Sequence, residues 1–160
     1  MIASQLSIFA ENKPGKLAAV THILAQEGVS IRATTISTSD TFGVINLIVD
    51  HAEKALQALT KAGILAKLRR VLAVILDDRP GGLDRLAQLL VREGINVNNA
   101  YGFVLESQVK AVFVVDVDQL EKAERIIEEN GFKTLGPDIL SEMEPATSHR
   151  KWEEPNDDAS

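Results

Sequence analysis

The chain has 160 residues, enough for one medium domain or two small ones, and its 45% hydrophobic and 25% charged content is ordinary for a folded globular protein. A formal charge of −6 argues against general affinity for nucleic acid, and the lack of cysteine excludes disulfides, thiolate metal sites and cysteine nucleophiles. The opening MIASQLSIFAENK is no signal peptide and no apolar run approaches the ~20 residues that span a bilayer, so a soluble, cytoplasmic chain without membrane partners is expected.

Aromatic residues are only 4% of the chain, so the core must come from Leu, Ile, Val and Ala. LSIFA (6–10) is a short β-branched run and predicts a strand. ENKPGKL (11–17) follows, and Leu17, Val20, Ile23 and Leu24 then recur at helical spacing. That helix is expected to start at Pro14, whose missing N–H costs nothing in a first turn, and to stop at Gly28 in a left-handed cap. VSIRATTIS and FGVINLIVD predict two strands separated by the turn residues TSD. Ala55, Leu56, Leu59 and Ala62 mark a second helix ending at Gly63, and ILAKL a last strand. The order then begins again. VLAVIL is a strand, DDRPGGL (77–83) a loop, and Leu83, Leu86, Leu89 and Leu90 a helix that ends at Gly94. INVNNAYGFV and VKAVFVVDV flank ESQ, Leu120, Ala123 and Ile127 define a helix ending at Gly131, and FKTLG closes the unit.

Pro14 and Pro80 stand 66 residues apart, and at that offset Gly15 meets Gly81, Leu17 meets Leu83, Leu24 meets Leu90 and Gly28 meets Gly94. Asp50 meets Asp116, and after a two-residue slip Ala55, Leu59 and Gly63 meet Ala123, Ile127 and Gly131. A repeat of this length is too long for a solenoid unit and suits a small domain. The predicted fold is therefore α+β: two ferredoxin-like β-α-β-β-α-β domains, 1–68 and 69–140, packed side by side with helices on one face of antiparallel sheets. Residues 141–160 are acidic and Pro/Ser-rich, with Trp152 their one aromatic side chain, and read as a disordered tail.

The strands VINLIV and AVFVVDV are apolar on both faces. Val44, Asn46 and Ile48 oppose Ile45, Leu47 and Val49, and Val112, Val114 and Asp116 oppose Ala111, Phe113, Val115 and Val117. A sheet with helices on one side should alternate apolar and polar, so its open face must be covered. A homodimer or larger assembly through these faces is expected.

The two Pro-Gly loops admit two readings. In one, Asn12 or Asp78 caps the following helix and Pro sets its first turn. In the other, backbone N–H groups at the helix start receive a carboxylate, and Asn12 or Asp78 bonds the amino group beside it. The motif [ND]-[KR]-P-G-x-L, the amphipathic helix, and then EGVSI or EGINV opening a polar strand resemble the ACT domain, in two copies over roughly residues 4–140. The resemblance implies regulatory modules that pair side by side and bind amino acids at the interface, with the loop holding the ligand's backbone groups and a polar strand-opening residue of the neighbouring domain completing the site. The candidate residues it implies are Asn12, Pro14, Gly15 and Leu17 with Ser30 and Ile31, and Asp78, Pro80, Gly81 and Leu83 with Asn96 and Val97. Members that bind serine tend to carry Asn at the strand position, where the first copy has Ser30, so the preferred set is Asn12 and Gly15 with Asn96. The ligand side chain would face Ala10 and Leu76.

Two copies and a tail use the whole chain, so the expectation is a free-standing sensor of a small amino acid that acts on a separate enzyme and has no catalytic activity, cofactor or metal of its own. The histidines His22, His51 and His149 are isolated, adjacent Asp77 and Asp78 are explained by loop polarity, and no phosphate loop, nucleophile elbow or HExxH occurs. RNA-recognition domains share the strand order but stack bases on aromatic residues, and here the comparable strands are aliphatic apart from Phe113. The remaining alternative is a structural or dimerisation module that regulates a partner without a ligand.

Overall fold

A computed structural model describes residues 1–136. The first module runs β1 (Ala3–Glu11), α1 (Lys16–Gln26), β2 (Ile31–Ser39), β3 (Phe42–Val49) and α2 (Ala52–Lys61). It enters β4, an unbroken strand from Ala66 to Asp77, and the second module continues with α3 (Gly82–Arg92), β5 (Val97–Glu106), β6 (Lys110–Val117), α4 (Leu120–Glu129) and β7 (Lys133–Leu135). The two strands expected as ILAKL and VLAVIL are thus one. Only Arg69 and Arg70 separate them, and neither is a turn-former that would break the strand.

β4 belongs to both copies. Its first half pairs β1, from Ala3 opposite Val71 to Ile8 opposite Ala66. Its second half pairs β6, from Leu72 opposite Val115 to Asp77 opposite Lys110, and carries β7 on Ala73–Ile75. The result is one antiparallel sheet in the order β2-β3-β1-β4-β6-β5, with β7 beside β4.

The helix stops follow the glycines. Gly28, Gly63, Gly94 and Gly131 all have positive φ. After α1, Val29 N–H donates to the Leu24 carbonyl and Gly28 N–H to that of Ala25, a Schellman pattern repeated after each of the other three helices. The starts differ from expectation. α1 and α3 begin after the prolines, with Gly15 and Gly81 as N-caps at φ 88° and no side-chain cap bond. Asn12 and Asp78 do not cap these helices.

Three apolar clusters organise the molecule. α1 and α2 cover Leu6, Ile8, Ile45, Leu47 and Val49, and α3 and α4 cover Leu72, Val74, Leu76, Val115 and Val117. The third cluster lies on the other face of the sheet and joins Ala3 and Ile48 of the first module to Val112 and Val114 of the second around Val71 and Ala73, with Ala33, Tyr101 and Phe103 packed against it. The open face is therefore covered within one chain, and its apolar residues no longer call for a second subunit.

A hydrogen bond measures the curl this requires. Gln5 on β1 and Tyr101 on β5 are three strand spacings apart, about 14 Å across a flat sheet. The Tyr101 hydroxyl nonetheless donates to Gln5 Oε1 at 2.9 Å. The sheet bends so that its outer strands, β2 and β5, approach each other. Gln5, Ser7 and Asn46 complete a buried polar network there: Gln5 Nε2 donates to Asn46 Oδ1 at 3.0 Å and to Ser7 Oγ at 3.1 Å, and Ser7 Oγ donates to Asn46 Oδ1 at 2.8 Å. Arg69 meets the nearly buried Asp116 on the same face at 2.9 Å.

The structure moves one repeat equivalence. Asp50 accepts the Ser30 N–H at 2.9 Å, and its counterpart in the second copy, accepting the Asn96 N–H at 3.2 Å, is Asp118. The slip of two residues therefore falls earlier, between the opening of the second strand and its turn. Asp40 and Gln108, the non-glycine residues of positive φ among the described residues, mark it, since they already stand 68 apart. Asp116, expected opposite Asp50, corresponds to Ile48.

Candidate functional site

Each Pro-Gly loop leaves a strand end, turns through a left-handed glycine and starts a helix. An added Cβ at Gly15 or Gly81 meets nothing within 4 Å, so glycine is required by the φ of 88° and not by crowding. Asn12 and Asp78 are turned toward the hairpin turn of their own module. Asn12 Nδ2 donates to the Asp40 carbonyl at 3.1 Å and its N–H to that of Thr41 at 2.8 Å. Asp78 Oδ2 accepts the Gln108 N–H at 2.7 Å, and its own N–H donates to the Val109 carbonyl at 3.1 Å. The same loop-to-turn tie is built twice with different side chains.

A cavity opens beside each tie. In the first module it measures about 120 Å³ and is lined by Ala10, Glu11, Asn12, Lys13, Leu17 and residues of β2 and β3 including Gly43 and Ile45. In the second it measures about 310 Å³ and is lined by Leu76, Asp77, Asp78, Arg79, Leu83, Ala111 and Phe113. Seven positions correspond, from Ala10 with Leu76 to Ile45 with Phe113, while Lys16, Ile36 and Thr38 line only the first cavity and Pro80 and Gln108 only the second. Leu17 and Leu83 stand at the mouths, 42% and 45% exposed. Pro80 borders the second cavity.

Neither cavity includes Ser30, Ile31, Asn96 or Val97. Those residues stand at the opposite end of their hairpins, where Ile31 pairs Val49 and Val97 pairs Val117, far from the Asp40 and Gln108 turns. Asn96 Nδ2 donates to Asn98 Oδ1 at 3.1 Å. Asn12 and Gly15 are therefore not brought to Asn96 within one chain.

An ion pair inside each loop went unnoticed in the sequence. Lys13 Nζ lies 2.6 Å from Glu11 Oε2, and Arg79 lies 2.9 Å from Asp77 Oδ2. The Lys13 ammonium, by hydrogen bond and charge, with Lys16 behind it, holds the Glu11 carboxyl below the usual carboxylate range. The available signal was an acid and a base two residues apart, each just ahead of Pro-Gly. Each cavity thus presents charges of both signs at its rim, Glu11 with Lys13 and Lys16 in the first and Asp77 and Asp78 with Arg79 in the second. Among the described residues no cluster of His, Asp or Glu is arranged to hold a metal. No described helix is long and apolar enough to cross a membrane.

The family described as the ACT domain pair matches residues 1–144. Protein BT0572 of Bacteroides thetaiotaomicron has the same fold at TM-score 0.82 and 30% identity, over 88% of this chain and 96% of that one. The ligand-free regulatory subunit of aspartate kinase from Thermus thermophilus is similar at TM-score 0.58 and 20% identity, over 82% of this chain and 97% of that one, and that of Thermus flavus at 0.52 and 20%, over 80% and 95%. No curated protein sequence matches. With a family match across both modules and a solved relative covered almost end to end, the chain belongs to the ACT domain pair family.

Proposed function

We propose that the chain is a regulatory protein without catalytic activity that binds a small amino acid at its Pro-Gly loops. One observation carries this reading: the same turn, the same tie and an equivalent cavity are built twice, each with an acid and a base at the rim. A zwitterion complements that pair. Its carboxylate meets Lys13 or Arg79 and the positive end of the helix that follows, and its ammonium meets Glu11 or Asp77. Leu17 and Leu83 are placed to shield its side chain.

The site set that joins Asn12 and Gly15 to Asn96 calls for a second copy of the chain, so the proposal includes a homodimer or larger assembly in the cytoplasm. The response passes to a separate enzyme, as the family membership and the regulatory-subunit names of the Thermus relatives suggest. A second reading, a pairing module without a ligand, is favoured by one fact: Asn12 and Asp78 already spend their side chains on Asp40 and Gln108.

Calorimetric titration of the twenty amino acids separates the two. Saturable binding by at least one, weakened by Lys13→Gln or Arg79→Gln, supports the sensor. A flat panel on folded protein rejects it and leaves the pairing module.

A further inference from the structure

The second module carries a further cavity, on the other side of the β4–α3 corner from the Pro-Gly pocket. It measures about 360 Å³ and lies against the β7 edge of β4, where β7 begins only at Lys133, opposite Ile75. Arg85, Lys110 and Lys133 are on its lining, together with Asp77, Gly82 and Phe132. Asp77 is the single acid among them and pairs with Arg79 at 2.9 Å. Arg85, Lys110 and Lys133 make no ion pair among the described residues. A chain of net charge −6 has gathered three cations around one hollow, and Lys110 among them stands in register between Asp77 and Glu106 without closing a salt bridge to either.

The repeat makes this concentration specific. The counterparts in the first copy are Ala19 for Arg85, Phe42 for Lys110 and Leu65 for Lys133. All three cations are absent there. The second copy also places Gly82 where the first has Lys16, and Gly82 backs so closely on β4 that a Cβ would stand 2.2 Å from the Asp77 carbonyl oxygen. The first turn of α3, with the positive end of its dipole, therefore lines the hollow without a side chain in the way. The Arg85 guanidinium rests on the Phe132 ring, 5.4 Å from its centroid, which holds it beside the cavity.

We infer that this hollow is a second ligand site, selective for a compact multiply charged anion, a phosphate ester or a dicarboxylate. It goes beyond the amino-acid reading, because its ligand needs no ammonium group and its three cations lie outside both Pro-Gly cavities, although Leu76 and Asp77 line this hollow and the second of those cavities alike. Several cations around one small volume favour two or more charges on one molecule, since a single carboxylate leaves most of the positive field uncompensated.

Calorimetric titration with inorganic pyrophosphate and, separately, with malonate tests it. One saturable site is expected for at least one probe, weakened ten-fold or more by Lys133→Gln and by Lys110→Gln, and by less than two-fold by Lys61→Gln on the distant α2. Binding of pyrophosphate alone assigns a phosphate ester, and of malonate alone a dicarboxylate. No saturable binding by either, or equal weakening by Lys133→Gln and Lys61→Gln, overturns the site. Far-ultraviolet circular dichroism of each variant confirms the fold on which the comparison depends.

Discussion

Tyr101 gives a test of the fold that needs no mutation. It is the only tyrosine in the chain, so phenolate absorbance reports it alone. Burial raises its pKa well above the ordinary phenol value of 10.0, and its hydroxyl donates to Gln5 Oε1 across the two modules. A phenolate there loses water and that donor, and faces an amide oxygen. The folded state thus holds the proton more tightly than the unfolded chain, so its contribution to stability is complete below pH 10 and is lost as pH climbs toward the folded pKa. The loss is at most about 1.4 kcal/mol for each pH unit above 10. At pH 11.5 that is about 2 kcal/mol, within the roughly 5–15 kcal/mol by which domains are stable. Absorbance at 295 nm, followed from pH 8 to 12, should therefore stay flat through pH 11 in native protein and rise near pH 10 in concentrated urea. Circular dichroism must show the chain still folded at each point. A native phenolate step near pH 10 would refute the buried inter-module bond and the curl of the sheet built on it.

Tyr101→Phe leaves Gln5 Oε1 without this donor and is expected to cost about 1–3 kcal/mol, or about 2–4 °C in Tm for each kcal/mol in a chain of this size. Combined with Gln5→Met it should cost less than the sum of the two changes, by urea denaturation. Arg69→Met strands Asp116, whose side chain is 10% exposed while that of Arg69 is 44% exposed, and should cost about 1–3 kcal/mol after allowing for the solvent around the arginine. Gly81→Ala meets no atom but must hold φ at 88°, for about 1–2 kcal/mol. Gly82→Ala collides with the Asp77 carbonyl and should destabilise more than Gly81→Ala, and the reverse order in urea midpoints would contradict the packing of α3 on β4.

Most of the fold was legible because helix and strand periods, doubled Pro-Gly loops and four glycine stops reinforced one another. What escaped detection was non-local. Nothing near Leu68–Val71 says that one strand serves two modules, since a strand's edges are filled by β1, β6 and β7 from distant sequence. The open face was correctly seen as covered, but periodicity names no partner, and a second subunit fits the same pattern as the chain's own other half. The loop chemistry was half visible. Pro-Gly announced the turn, while the partners of Asn12 and Asp78 depend on where the β2–β3 and β5–β6 turns arrive. The tail, 141–160 with Trp152, lies outside the described residues.

The divergence between copies explains why the open faces fit each other in one way. Where the first copy places Gln5, Ser7 and Asn46, the second has Val71, Ala73 and Val114, and where the first has Ile48 the second has Asp116. The first module's polar groups find their outside donor in Tyr101, and the second's carboxylate finds Arg69 on the shared strand. Pairing two first modules through these faces would bury amides with no phenol to meet them, at about 1–3 kcal/mol for each unsatisfied group. Pairing two second modules would press two carboxylates into apolar surroundings. The shared β4 strand and the polar mismatch together select the pairing within the chain. An assembly of several chains must therefore use other surfaces, among which are the Pro-Gly loop ends and the outward helix faces, where Val91 of α3 is 72% exposed.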